Sequence, residues 1–110
     1  MYEKHPLLNH VLRLLDDIQA IDITTIDVSQ QTTVTDFMVI CSARSSRHVK
    51  AIAEQVMEQM KAANEPALNS SGLENGDWAL IDFGDVVVHV MQPESRAFYH
   101  LEGLWQNQPE

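Results

Sequence analysis

Trp78-Ala-Leu-Ile-Asp-Phe-Gly-Asp-Val-Val-Val-His-Val-Met91 decides the fold of this chain: two apolar runs hinged on Gly84-Asp85 read as a β-hairpin. The period of two along a strand sets His89 with Val87 and Met91 on one face, opposite Val86, Val88 and Val90. Trp78, Asp82, Asp85, His89 and Met91 therefore come onto adjoining strands. The stretch holds no nucleophile, thiolate pair or phosphate loop, which points to recognition more than to reaction.

Outward from the hairpin, Pro66 to Gly72 reads as a short edge strand, followed by the polar loop Ser70 to Gly76. Before it, Ser45-Ser46 offers hydroxyl caps to a long helix whose apolar stripe is Val49, Ile52, Ala53, Val56, Met57 and Met60, with Asn64 and Pro66 ending it. Phe37 to Ser42 is a nearly continuous apolar run, as expected of an inner strand buried on both faces. Ile21 to Val28 alternates, with a phase shift around Thr24-Thr25 that suggests a bulge, and the polar Ser29 to Thr33 reads as a turn. Residues 5 to 20 form an amphipathic helix, with Pro6 at a first helical position and Leu8, Val11, Leu12, Leu15 and Ile18 at spacings of three and four. At the other end Pro93, Glu94 and the spacing Phe98, Leu101, Trp105 describe a short helix, and 106–110 a frayed tail.

The order helix, strand, strand, helix, weak strand, strand, strand, helix implies an α/β fold: a mixed β-sheet of about five strands covered by helices. At 110 residues and 45% hydrophobic, the chain is read as a single domain over 1–110 whose core needs no metal or disulfide. Cys41 is the lone cysteine and sits in an apolar strand, where burial makes a thiol inert and a reducing cytoplasm fits. No positively charged segment precedes an apolar stretch at the start, and no run approaches membrane-spanning length, so neither a signal peptide nor a membrane contact is expected.

Sixteen acidic residues against seven Lys and Arg give a net charge of -9, which works against binding free nucleic acid and favours a basic protein partner. Arg44, Arg47 and Lys50 cluster within seven residues and read either as a docking patch or as a solvated helix start. Cys41 to His48 could hold phosphate at helix-start amides but lacks the glycines that wrap a nucleotide, and capping explains its serines equally well. His5, His10, His48, His89 and His100 are scattered without zinc-site spacing, so no metal is expected. His89 reads either as a half-buried, hydrogen-bonded ring or as part of an interface. Asp82 and Asp85 flank Phe83-Gly84 and could pair on Mg²⁺; turn formation and an exposed carboxylate account for them more simply. The Asp-Phe-Gly trio also occurs in protein kinases, whose fold does not fit this length and whose other motifs are absent. Trp78, Phe98, Tyr99 and Trp105 all lie in the last third; Phe98 and Trp105 suit a core, while Trp78 and Tyr99 fit core or interface.

Four blocks, Thr35-Asp-Phe-Met-Val-Ile40, Ser45-Ser-Arg-His-Val-Lys-Ala51, Trp78 to Met91, and Arg96-Ala-Phe-Tyr-His-Leu-Glu102 followed by Leu104-Trp105, together resemble the ribosomal silencing factor family, also called RsfS, YbeB or Iojap. The match runs from about Ala20 to Trp105. The resemblance implies a cytoplasmic translation repressor that binds the large ribosomal subunit through its fourteenth protein and blocks small-subunit joining when nutrients run short. It also implies a fold similar to nucleotidyltransferases, without enzymatic activity or cofactor. The sequence lacks the Gly-Ser and following acidic pair that a working nucleotidyltransferase uses. On strand phase and aromatic placement, the expected contact residues are Trp78, Leu80, Asp82, His89, Met91 and Tyr99, with Asp85 and Arg47 nearby and Trp78 as the anchor. Two rivals stay open: a nucleotide-using enzyme with Mg²⁺ on Asp82 and Asp85 and phosphates on Arg44, Arg47 and Lys50, and a homodimeric scaffold.

Overall fold

The computed structural model describes residues 5–99, with side chains through Ala97. Its elements are α1 (Pro6–Asp17), β1 (Ile21–Asp27), β2 (Phe37–Ser42), α2 (Ser46–Ala62), β3 (Asn69–Ser71), β4 (Trp78–Asp82), β5 (Val86–Met91) and α3 (Pro93–Tyr99). The strands form one sheet in the order β1-β2-β5-β4-β3, with β2 and β5 parallel and the other pairs antiparallel. The mixed five-stranded α/β architecture expected from the element order is the one observed. Leu101 and Trp105, expected on the last helix, and the 106–110 tail lie outside the described residues. Among the described residues, no helix is long and apolar enough to cross a membrane.

Local chemistry explains the boundaries. The Ser45 hydroxyl accepts the His48 N–H at 3.1 Å and caps α2, an interaction worth about 1 kcal/mol. Gly84 takes φ 92 at the first central position of the β4–β5 turn, where only glycine is free of strain, and Phe83 N–H closes the turn on the Val86 carbonyl at 2.9 Å. The β1 irregularity falls between Ile21 and Thr24, slightly earlier than the alternation suggests, with Asp22 at φ 49.

The two sheet faces differ. Phe37, Val39, Cys41, Ala79, Ile81, Val86, Val88 and Val90 pack with Leu8, Val11 and Leu15 of α1 and Val49, Ile52, Val56 and Met60 of α2 in the main core. The opposite face holds a smaller cluster of Ile26, Val28, Met38, Ile40 and Met91, against which Trp78 packs. This second face carries the residues singled out from the hairpin.

Candidate functional site

Strand register builds this face. Trp78 pairs with Met91, Leu80 with His89 and Asp82 with Val87, so these six alternate positions share one side of the hairpin. Ile40 beside His89 and Met38 beside Val87 extend it across β2. Trp78, Leu80 and Asp82 are half-buried, presenting an indole, an aliphatic side chain and a carboxylate in line along β4.

His89 and Met91 occupy a different level. Met91 is fully buried and His89 is 4% exposed, because flanking strands on both sides cover β5. Met91 therefore supports Trp78 from below and does not itself reach the surface. The indole Nε1 of Trp78 donates to His89 Nδ1 at 2.9 Å, with the rings 5.8 Å apart. An acceptor at Nδ1 is a neutral imidazole with its proton on Nε2. Burial favours that state and holds the His89 pKa down at about 4.

The two aspartates are turn residues. Asp82 Oδ1 accepts the Gly84 N–H at 2.8 Å, and the exposed Asp85 uses its carbonyl to accept the N–H groups of Asp36 and Phe37, both at 3.0 Å. Among the described residues, no three His, Cys, Asp or Glu side chains gather in a metal-holding arrangement. Arg47 is exposed in the first turn of α2, which follows the C-terminal end of β2; Asp82 and Asp85 lie at the other end of the strands. The structure thus brings Trp78, Leu80, Asp82, His89 and Met91 together and sets Arg47 apart from the aspartates. Tyr99 ends α3, and its side chain, like that of Phe98, lies outside the description.

Three residues escaped the sequence reading. Val34 and Leu68 are large hydrophobic side chains left 79% and 73% exposed; Val34 stood alone between threonines, and Leu68 was read into the Pro66 to Gly72 edge strand, whose observed extent, Asn69–Ser71, leaves it outside. Arg96 donates from Nη1 to the Asp22 carbonyl at 2.7 Å and to Ser42 Oγ at 2.9 Å, and from Nη2 to Thr24 Oγ1 at 3.0 Å. That fork ties α3 to the Trp78 end of the second face. A cation three residues into a helix that starts with proline was the available signal.

A family model described as "Ribosomal silencing factor during starvation" matches residues 2–110. The chain is 41% identical over 104 residues to the ribosomal silencing factor RsfS of Zymomonas mobilis, covering 94% of this chain and 78% of that protein. It is 35% identical over 101 residues to the mouse "Mitochondrial assembly of ribosomal large subunit protein 1", covering 89% of this chain and 44% of that protein. A crystal structure of a protein from Chromobacterium violaceum superposes with a TM-score of 0.87 at 39% identity, covering 94% of this chain and 86% of that one.

Proposed function

The chain belongs to the ribosomal silencing factor family, and from that premise we propose that it represses translation by occupying the large ribosomal subunit where the small subunit joins. Its dock is the fourteenth protein of the large subunit, met in the cytoplasm under nutrient limitation. No chemistry or cofactor is required, since a folded body at a joining surface excludes the second subunit by volume. The mouse relative's name, which concerns assembly of the large subunit, supports that subunit as the target.

The observation that carries this reading is the Trp78, Leu80, Asp82 row on the second sheet face. An aromatic anchor beside aliphatic surface and a carboxylate is the composition of an interface centre. His89 and Met91 hold the row from beneath, Asp85 follows its Asp82 end in the β4–β5 turn, and Tyr99 and Arg47 are further contacts of the proposed dock. The net charge of -9 suits a basic ribosomal protein, because complementary charge speeds encounter and rejects wrong orientations.

Separated ribosomal subunits mixed with the purified protein provide the test. The wild type is expected to cosediment with the large subunit and suppress formation of joined ribosomes. Trp78→Ala is expected to lose more than about 2 kcal/mol of binding while remaining folded. Undiminished joining, with no protein retained on the large particle, rejects the reading.

A further inference from the structure

The loop that leads into β4 reads Glu74-Asn75-Gly76-Asp77, in which a side-chain amide precedes a glycine. Asn75 is exposed in a turn, and its side chain has no hydrogen-bond partner among the described residues. The Gly76 N–H reaches the Gly72 carbonyl at 3.3 Å, the longest of the described loop and turn backbone bonds and past the usual range.

An open asparagine before glycine is chemically unstable in water. Glycine has no side chain to crowd its own nitrogen, and its backbone freedom lets that nitrogen approach the neighbouring Cγ. Asn9 and Asn69 are held in α1 and β3, Asn69 with its Oδ1 accepting the Ser70 N–H at 3.0 Å. Asn64 precedes the bulkier Glu65, whose N–H is bonded to the Met60 carbonyl at 2.8 Å. Among the described asparagines, Asn75 alone joins an unpartnered side chain to a weakly held glycine amide.

We propose that Asn75 is a site of spontaneous deamidation whose isoaspartyl product releases the loop that holds Trp78. The Gly76 nitrogen, having lost its proton, attacks Asn75 Cγ; the N–Cγ bond forms, the bond from Cγ to the amide nitrogen breaks, and ammonia leaves with a proton, giving a cyclic succinimide. Water then opens the ring. Attack at Cγ gives aspartate on an unchanged backbone, whereas attack at the main-chain carbonyl routes the backbone through Cβ and Cγ and lengthens it by a methylene. Nothing is oxidised or reduced, and water is the co-reactant.

The fold has no room for the longer chain. Gly76 is buried against the start of α2, where even a Cβ would lie 2.6 Å from the Ser46 carbonyl oxygen, and its own carbonyl accepts Gln92 Nε2 at 3.0 Å. The Gln92 N–H donates to the Asp77 carbonyl at 3.2 Å, immediately before Trp78. A methylene inserted between positions 75 and 76 displaces Gly76 from Ser46 and Gln92 and so frees the start of β4. The consequence for docking rests on the proposed function; the modification itself does not.

The experiment incubates the purified chain, folded and at mildly alkaline pH, beside a sample unfolded in urea. Peptide mass spectrometry and labelling by an isoaspartyl methyltransferase locate the product. Isoaspartate is expected at position 75 of the folded protein with the Asn69 peptide unchanged, and Asn75→Gln, which must close a larger ring, should lower the yield roughly tenfold or more. Hydrogen exchange on the aged sample reads the loop without a ribosome: the Trp78 and Ala79 amides should exchange faster in isoaspartyl chains than in unmodified ones. Offered to large ribosomal subunits, the aged mixture should leave the bound fraction roughly tenfold depleted in isoaspartyl chains, while Asn75→Asp, with the same charge on a normal backbone, should bind as wild type. Modification confined to the urea sample overturns the site. Unchanged exchange at Trp78 and Ala79 overturns the release of the loop, and weakened binding by Asn75→Asp overturns the chain-lengthening mechanism in favour of charge. A fresh wild type that does not bind the subunit removes the proposed function, and the mass and exchange results still decide the modification and the release.

Discussion

Trp78 and His89 are joined by an indole N–H donated to an imidazole Nδ1 at 2.9 Å, so the most exposed ring of the second face is oriented by a buried one. The bond exists only while His89 is neutral, because a protonated imidazole has two donors and would face the indole N–H with a third.

A dependence of stability on pH follows. Burial holds the folded-state pKa of His89 at about 4, below the ordinary 6.5. Between those values the unfolded chain binds the proton and the folded chain does not, so stability is full above the upper value and declines as pH falls toward the lower. The loss across that window is on the order of 3 kcal/mol. Denaturant unfolding of wild type and His89→Asn across the window measures it, and the variant should show a shallower decline. Equal slopes in the two proteins would mean that His89 titrates normally.

Cys41 gives a second expectation. It is fully buried on the helix-covered face, and desolvation pushes its thiol up to about 12 despite the nearby Arg96 charge. Since the thiolate is the reacting species, a thiol reagent such as Ellman's should leave the native protein unlabelled and modify the single cysteine once denaturant is added. Rapid labelling of the native chain would show that β2 opens more readily than its burial implies.

Much of this was legible because periodicity reports burial directly. The apolar run from Phe37 to Ser42 became a strand buried throughout, and the two-residue period of the hairpin placed Trp78, Leu80 and Asp82 on one side. What periodicity could not report was the neighbour across the sheet. Met91 shares its phase with the docking row yet is covered because β5 lies between β2 and β4, a pairing set by tertiary contacts. Val34 and Leu68 were invisible for a related reason: their exposure depends on how their loops lie on the sheet, Leu68 beside Gly84 of the β4–β5 turn. The contacts of Arg96 join residues more than fifty positions apart, beyond any local pattern.

Gly72 is predicted to be a sensitive backbone position. Its φ is 78, and a Cβ there would sit 1.9 Å from the Trp78 carbonyl oxygen, so the backbone would have to move in β4 itself. Gly72→Ala combines left-handed strain with a backbone clash and should cost more than about 2 kcal/mol of unfolding free energy. Because the displaced group belongs to Trp78, subunit binding should fall beyond what the unfolded fraction explains. A variant with wild-type stability would show that the loop relaxes without moving β4.

Arg96 provides the last expectation. Its planar fork reaches a main-chain carbonyl and two hydroxyls on β1 and β2, and the carbonyl belongs to Asp22, whose φ of 49 marks the irregular start of β1. One guanidinium thus satisfies the buried Ser42 hydroxyl, braces the bulge and fixes α3, and its removal should cost about 2–3 kcal/mol. Lysine keeps the charge but cannot span three acceptors from one ammonium in the same geometry, so Arg96→Lys should recover only part of the loss. Hydrogen exchange separates anchoring from general stability: in Arg96→Ala the backbone amides of Ala97, Phe98 and Tyr99 should exchange faster, while those of β2 follow only the global change. Uniform acceleration over both elements would mean that Arg96 stabilises the fold without holding α3, and full rescue by lysine would mean that its charge matters and its fork does not.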